Sequence, residues 1–125
     1  MILGIGIDME EVERIRIVID RHGARFLDKV YTQSEIDYVE DKANRYERYA
    51  ARFAAKEAAM KALGTGWNHG VHWRDLEVVN CPDGVPTLNL SGGALDRATE
   101  MGFQRVHVSM SHTRGMAVAE VIIED

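Results

Sequence analysis

The sequence predicts an α+β domain in which a mostly antiparallel sheet packs against one long central helix. Three observations point there. The chain opens on a short apolar strand, Ile2-Leu3-Gly4-Ile5-Gly6-Ile7. An alanine-rich run from about Arg45 to Leu63 concentrates the best helix former and meets Gly64 at the C-cap position. Beyond residue 75 the texture changes to short apolar stretches separated by turn residues, as strands require. No repeat, low-complexity tract or Pro/Ser-rich linker interrupts the 125 residues, so one domain spanning 1–125 is expected.

Each element has its own signal. The first strand ends at Asp8. Helical spacing follows through Val12, Ile15, Val18 and Ile19 and stops near Gly23. Phe26, Leu27, Val30 and Tyr31 fit a further short turn of helix, and Thr32 with Glu35 forms a capping-box signature that opens a third piece. After the long helix, Gly64-Thr65-Gly66-Trp67-Asn68-His69-Gly70 reads as a loop. Residues 75–79 and 86–90 read as strands joined through the turn Pro82-Asp83-Gly84. Ser91 is placed to cap a helix that ends at Gly102. Residues 105–111 alternate Val106, Val108 and Met110 with His107, Ser109 and Ser111, the pattern of a half-buried strand. A turn through Thr113, Arg114 and Gly115 leads to a last strand at 116–124.

Composition bounds the function. At this length roughly two-thirds of the unfolded surface can be buried, enough for a real core. With 15 basic against 20 acidic residues the net charge is -5, which argues against non-specific nucleic-acid binding. The longest apolar stretches fall far short of about 20 residues, so no membrane-spanning helix is expected. Met1-Ile2-Leu3-Gly4 shows neither a basic leader nor a small-residue cleavage site, and a lone Cys81 excludes an internal disulfide and any multi-cysteine zinc site. A cytoplasmic protein is expected. The charge is unevenly spread: residues 8–13 carry four acids and no base, and residues 14–29 carry five bases against two acids. That basic segment is either a solvated helix face or a landing surface for an acidic macromolecule.

The long helix carries the chemistry. On a wheel of about 100° per residue, Tyr49, Phe53, Glu57 and Met60 share a narrow sector with Lys61 at its edge. A carboxylate among apolar positions must find a cation or hydrogen-bond donors, because desolvating it alone is expensive. Lys61, one turn on, is the simplest partner. A second acid from another element would instead let two carboxylates and a lysine share a divalent ion and a phosphate. Asp8, at the end of a glycine-containing strand, is that second acid; otherwise it caps the next helix. Arg45, Arg48, Arg52 and Lys56 make a second stripe, a solvated ridge or a phosphate-binding one. His112 at a strand exit is either a site residue or a hydrogen-bonded structural one. His69 and His72 lack further ligands at zinc spacing, and no nucleophile elbow surrounds Ser109 or Ser111.

Three stretches together are specific: Gly4-Ile5-Gly6-Ile7-Asp8, the block from Arg52-Phe53-Ala54-Ala55-Lys56-Glu57 through Lys61-Ala62-Leu63-Gly64-Thr65-Gly66, and Val108-Ser109-Met110-Ser111-His112-Thr113. In order and separation, over essentially the whole chain, they resemble the holo-acyl-carrier-protein synthases, the short bacterial type of 4′-phosphopantetheinyl transferase. The resemblance implies that family's fold. It implies transfer of 4′-phosphopantetheine from coenzyme A to a serine of apo-acyl carrier protein for fatty acid biosynthesis, with release of adenosine 3′,5′-bisphosphate. It makes Asp8 and Glu57 the magnesium ligands and Lys61 the lysine beside the coenzyme A pyrophosphate. Arg52, Gly64, His112 and Thr113 match positions lining the coenzyme A site, and the turn Asp83-Gly84-Val85-Pro86 resembles the segment near the adenine. It also implies a homotrimer with each site between neighbouring subunits.

This chemistry suits the residues. Magnesium prefers few protein carboxylates with phosphate and water, and positive charge is needed where an in-line phosphoryl transfer develops its charge. The serine proton needs an acceptor, and Glu57, a metal-bound water and His112 all stay open, with the first two favoured. Acyl carrier proteins are acidic, which makes Arg14, Arg21 and Arg25 the expected docking residues, Arg14 by a match to a family contact. One departure stands out. The family is often strongly basic, whereas this chain is net acidic, and Glu10, Glu11 and Glu13 are expected on the same helix as Arg14. Other readings of the same residues are a coenzyme A-binding module without turnover and a structural oligomer in which Glu57 and Lys61 are an internal ion pair.

Overall fold

Two glycines decide how closely the first strand can lie on the long helix. In a computed structural model, which describes residues 1–66 and 70–125, strand β1 (Ile2–Glu11) runs along helix α4 (Arg45–Leu63). A Cβ at Gly6 would sit 1.9 Å from the Ala58 carbonyl oxygen, and one at Gly4 would sit 2.1 Å from that of Ala62. Both obstacles are backbone, so no rotamer change relieves them. Gly6→Ala is therefore expected to cost at least the ~1–3 kcal/mol typical of overpacking, read as a lower denaturation midpoint. An unchanged midpoint would contradict the close approach.

Between these two elements the chain forms helices α1 (Val12–His22), α2 (Ala24–Val30) and α3 (Gln33–Val39). After α4 come a 3-10 turn (Trp73–Asp75) and the hairpin of β2 (Leu76–Asn80) and β3 (Pro86–Leu90). Helix α5 (Gly92–Met101) then leads to β4 (Arg105–His112) and β5 (Met116–Glu124). One sheet has the order β1-β5-β4, and β2 pairs with β3 as a second sheet. All pairings among the described residues are antiparallel. The expected architecture of a mostly antiparallel sheet on a long central helix is present.

Helix α4 is buried on two sides, which explains its alanines. One flank packs Ala54, Ala58 and Ala62 against Val121 and Ile123 of the sheet. The other packs Tyr49, Ala50 and Ala51 against Val12, Ile15, Ile19 and Tyr31. Larger side chains would hold both layers away. Gly64 ends the helix in the left-handed conformation at φ 73°, where glycine is favoured. Among the described residues no helix is long and apolar enough to cross a membrane.

Several expectations need correction. Strand β1 continues past Asp8 to Glu11, so Glu10 and Glu11 lie on the strand and only Glu13 shares the helix of Arg14. Glu11 occupies the N-cap position of α1, so Asp8 does not cap it. Strand β2 begins at Leu76 because the 3-10 turn takes Asp75. Ser91 sits at the N-cap of α5, but its hydroxyl makes no cap hydrogen bond.

The capping box at Thr32 is complete, with an addition the sequence did not announce. Its Glu35 is wholly buried, and Oε1 lies 2.7 Å from the equally buried Lys56 Nζ. Lys56 also donates to the carbonyls of Trp73 and Leu76, and the Val78 amide donates to Glu35 Oε2. The basic stripe on α4 is thus broken: Lys56 ties α3, the 3-10 turn and β2 together and is unavailable to a phosphate.

Candidate active site

Alternation along β1 puts Gly4, Gly6, Asp8 and Glu10 on the face toward α4. The glycines let the strand approach, and Asp8 follows them at the level of the last helical turns. Lys61 Nζ donates to Asp8 Oδ1 at 3.2 Å and to the Ile7 carbonyl at 2.9 Å. The simple helical pair between Glu57 and Lys61 is therefore replaced by a bridge from helix to strand. Glu57 Oε1 instead accepts a hydrogen bond from the Trp73 indole nitrogen at 3.2 Å. Asp8 Oδ2 is buried and receives no N–H donor among the described residues.

Glu10 was missed as a member of this group. Its pKa is pushed up to about 8, first by burial, then by a hydrogen bond to Asp8 and the charge of Asp8. Arg14 pulls it back, and Glu57 adds a smaller upward push. Asp8, Glu10 and Glu57 therefore share one crowded electrostatic neighbourhood. The available signal was the i, i+2 spacing of Asp8 and Glu10, which puts both on one face once the strand extends beyond Asp8.

The other expected site residues form separate groups. Arg52 is buried, donates through Nη2 to Asn80 Oδ1, and lies over the Tyr38 ring at 5.1 Å. Burial lowers its pKa, and its Nε is buried without a partner among the described residues. Asn80 in turn donates to the Gly84 carbonyl, and Asp83 Oδ1 accepts from the Val85 amide. Arg52 is thereby linked to the turn of Asp83 and Gly84 and to Pro86, which pairs with Asn80. Five residues separate Arg52 from Glu57, about 140° around the helix, so this group sits on another flank.

His112 and Thr113 make a third group at the end of β4. His112 pairs with Ala117, which pairs with Glu10, putting His112 two strand spacings, roughly 10 Å, from Glu10. Its Nδ1 is 3.8 Å from Glu47 Oε2, and Thr113 Oγ1 accepts from the Gly115 and Met116 amides. Met9, His112, Thr113 and Met116 line a cleft of about 230 Å³. Gly64 belongs with Lys61, one turn nearer the helix end. It borders, with Arg97 and Glu100, a groove of about 730 Å³.

The expected docking residues Arg14, Arg21 and Arg25 are all exposed. Arg16 is taken by Glu13 and by Asp20, the latter at 2.8 Å. Both acids of α1 are thus neutralised locally, and its remaining surface is more basic than the composition suggested. Of the two loop histidines, His69 lies outside the described residues. No group of three or more His, Cys, Asp or Glu side chains among the described residues is arranged to hold a metal ion. A two-carboxylate site completed by phosphate and water is the remaining possibility for a hard cation.

Residues 4–119 match the model of the 4′-phosphopantetheinyl transferase superfamily. The chain belongs to this family. The holo-[acyl-carrier-protein] synthase of Solibacter usitatus is 53% identical over 125 residues, covering 100% of both chains. The crystal structure of the Neisseria meningitidis holo-[acyl-carrier-protein] synthase matches with a TM-score of 0.89 at 32% identity, again over 100% of each chain. The Helicobacter pylori synthase, crystallised in complex with coenzyme A, has a TM-score of 0.85 at 31% identity, covering 96% of this chain and 99% of that one. The transferase fold and the transferase class read from the three sequence stretches are therefore both met. Within this family fold, Lys61 meets Asp8 and the charge of Glu57 reaches the same acid group through Glu10, whereas Arg52 with the hairpin turn and His112 with Thr113 lie apart on the same subunit.

Proposed function

We propose that this chain transfers 4′-phosphopantetheine from coenzyme A to a serine of apo-acyl carrier protein, with magnesium held by Asp8 and Glu57. The observation that carries this reading is the crowding of Asp8, Glu10 and Glu57 next to Lys61, with Asp8 Oδ2 buried and receiving no N–H donor among the described residues. A buried carboxylate oxygen in a crowd of acids is costly unless a cation meets it. Two carboxylates, with coenzyme A pyrophosphate oxygens and water, suit a small divalent ion. Bound there, that ion would offset pyrophosphate charge and the charge developing on the transferred phosphorus.

The remaining steps belong to the chain's own groups. Lys61 extends from the helix end over Asp8 and is more than half exposed, so its ammonium can reach a pyrophosphate oxygen while holding the strand. The carrier serine oxygen attacks the β-phosphorus, the bond to adenosine 3′,5′-bisphosphate breaks, and the serine proton passes to a base. Glu57 is the nearer candidate for that base, since His112 is held toward Glu47. Both substrates are water-soluble, in keeping with the cytoplasmic setting expected from the sequence. Incubation of apo-carrier protein with coenzyme A, magnesium and the purified chain, read by mass spectrometry, tests the function. A carrier that gains no phosphopantetheine overturns it.

The assembly is part of the proposal. Ile5, Ile7 and Met9 point away from α4 and are about 60%, 56% and 62% exposed. An apolar strand face of this kind calls for a partner surface. A homotrimer would cover it and bring the Arg52 and His112 groups of one subunit toward the Asp8 group of the next. Sedimentation is expected to give about three subunits per particle; a stable, active monomer would contradict the shared site.

Arg14, Arg21 and Arg25 are proposed to receive the acidic carrier. Arg14→Glu or Arg21→Glu should raise KM for the carrier several-fold at low salt while leaving KM for coenzyme A unchanged. The difference should shrink as salt is added. Equal KM values at low salt would dismiss the docking surface.

A further inference from the structure

Glu57 is not held by its own helix but by a residue from the 3-10 turn. Trp73 donates its indole N–H to Glu57 Oε1, and Trp73 is itself fixed from several directions. Its carbonyl accepts from Lys56 Nζ at 3.1 Å, and that lysine is anchored by Glu35 and the Leu76 carbonyl. Its ring packs against Phe53 with centroids 6.1 Å apart, and Lys29 Nζ lies 5.5 Å from the ring centroid. Neighbouring residues of α4, Lys56 and Glu57, thus grip the same tryptophan by its backbone and its side chain.

We propose that Trp73 is a positioning residue that orients Glu57 as a divalent-cation ligand, an inference that rests on the magnesium reading above. Tying one carboxylate oxygen removes rotational freedom about the side chain and leaves the other oxygen for the ion. The donor is neutral and cannot titrate in the working range, so it orients Glu57 without cancelling the charge that attracts a cation. Outer partners of this kind typically change metal affinity by about 10–100-fold when removed. Phenylalanine at this position would keep an aromatic ring against Phe53 while losing the N–H and the second ring of the indole.

The test uses Mn²⁺ as the probe, bound in the presence of coenzyme A and followed by electron paramagnetic resonance. Asp8→Asn serves as the control for the site itself. Trp73→Phe is expected to weaken Mn²⁺ binding about 10-fold or more, with little change in melting temperature and with turnover restored by excess Mg²⁺. A purely structural role would not give that rescue. If Trp73→Phe binds Mn²⁺ as wild type does, the positioning role is overturned. If wild type binds no more tightly than Asp8→Asn, the metal reading itself fails, and the inference with it. A second measurement leaves Trp73 in place. In Trp67→Phe, the one remaining tryptophan should change its emission as Mg²⁺ is added with coenzyme A; emission unaffected by saturating Mg²⁺ counts against the contact.

Discussion

Lys56→Met is expected to lower the stability of the domain by about 3–5 kcal/mol, the usual cost of leaving one member of a buried ion pair alone. The loss should be large because three groups depend on this ammonium. Glu35 would keep its charge in a site with no exposed atoms to speak of, and the carbonyls of Trp73 and Leu76 would lose their shared donor. Glu35→Gln should cost less, since its one amide oxygen can still accept from the Thr32 amide and Lys56 Nζ, and only the Val78 amide loses its acceptor. The double substitution to apolar residues should not recover wild-type stability. It restores charge balance but orphans two amides and two carbonyls, each an unsatisfied buried group. Urea denaturation midpoints check all three. The contrast is Arg16, whose pairs with Glu13 and Asp20 are solvent-exposed and should contribute almost nothing. A Lys56→Met midpoint no lower than that of Arg16→Ala would show that the buried network is not what binds α3 and the hairpin to α4.

That network also marks where sequence reasoning stopped. Helix α4, its glycine cap, the Thr32 capping box and strands β3 and β5 were legible because their signals are local: composition, a cap residue, a period of two. Asp8 and Glu57 were singled out because a carboxylate on an apolar face needs an external partner, and the structure supplies one to each, Lys61 to Asp8 and Trp73 to Glu57. Lys56 was not. Its spacing matched an exposed basic ridge, and only packing on both flanks of α4 explains its burial. Glu10 was assigned to a helix because the strand was ended at the first acid, although a strand tolerates an acid on whichever face meets a cation or water. Trp73 gave no signal, since its bond to Glu57 spans 16 residues and arises from a turn that no periodicity announces.

Asp8→Asn and Glu57→Gln are expected to lower the proposed magnesium-dependent transfer by on the order of 10³-fold or more, because several kcal/mol of charge stabilisation at the phosphorus would depend on the ion they are proposed to hold. Both substitutions keep shape and hydrogen-bonding capacity, so the loss should not come from unfolding. The metal-free variants should melt no lower than the metal-free wild type. In the wild type, Asp8 and Glu57 both push against Glu10, and removing either charge relieves that crowding. Adding Mg²⁺ with coenzyme A should then raise the melting temperature of the wild type and leave Asp8→Asn nearly unmoved, since a ligand stabilises only the state that binds it. The two readouts separate the roles of these carboxylates. A variant that loses transfer yet is still stabilised by the ion has lost a base and kept a ligand, the outcome open to Glu57 but not to Asp8. Asp8 is engaged by Lys61 through one oxygen and crowded by Glu10, which favours the cation-binding role proposed for it over that of a base. Near-normal transfer by Asp8→Asn at saturating Mg²⁺ would remove the strand from the metal site altogether.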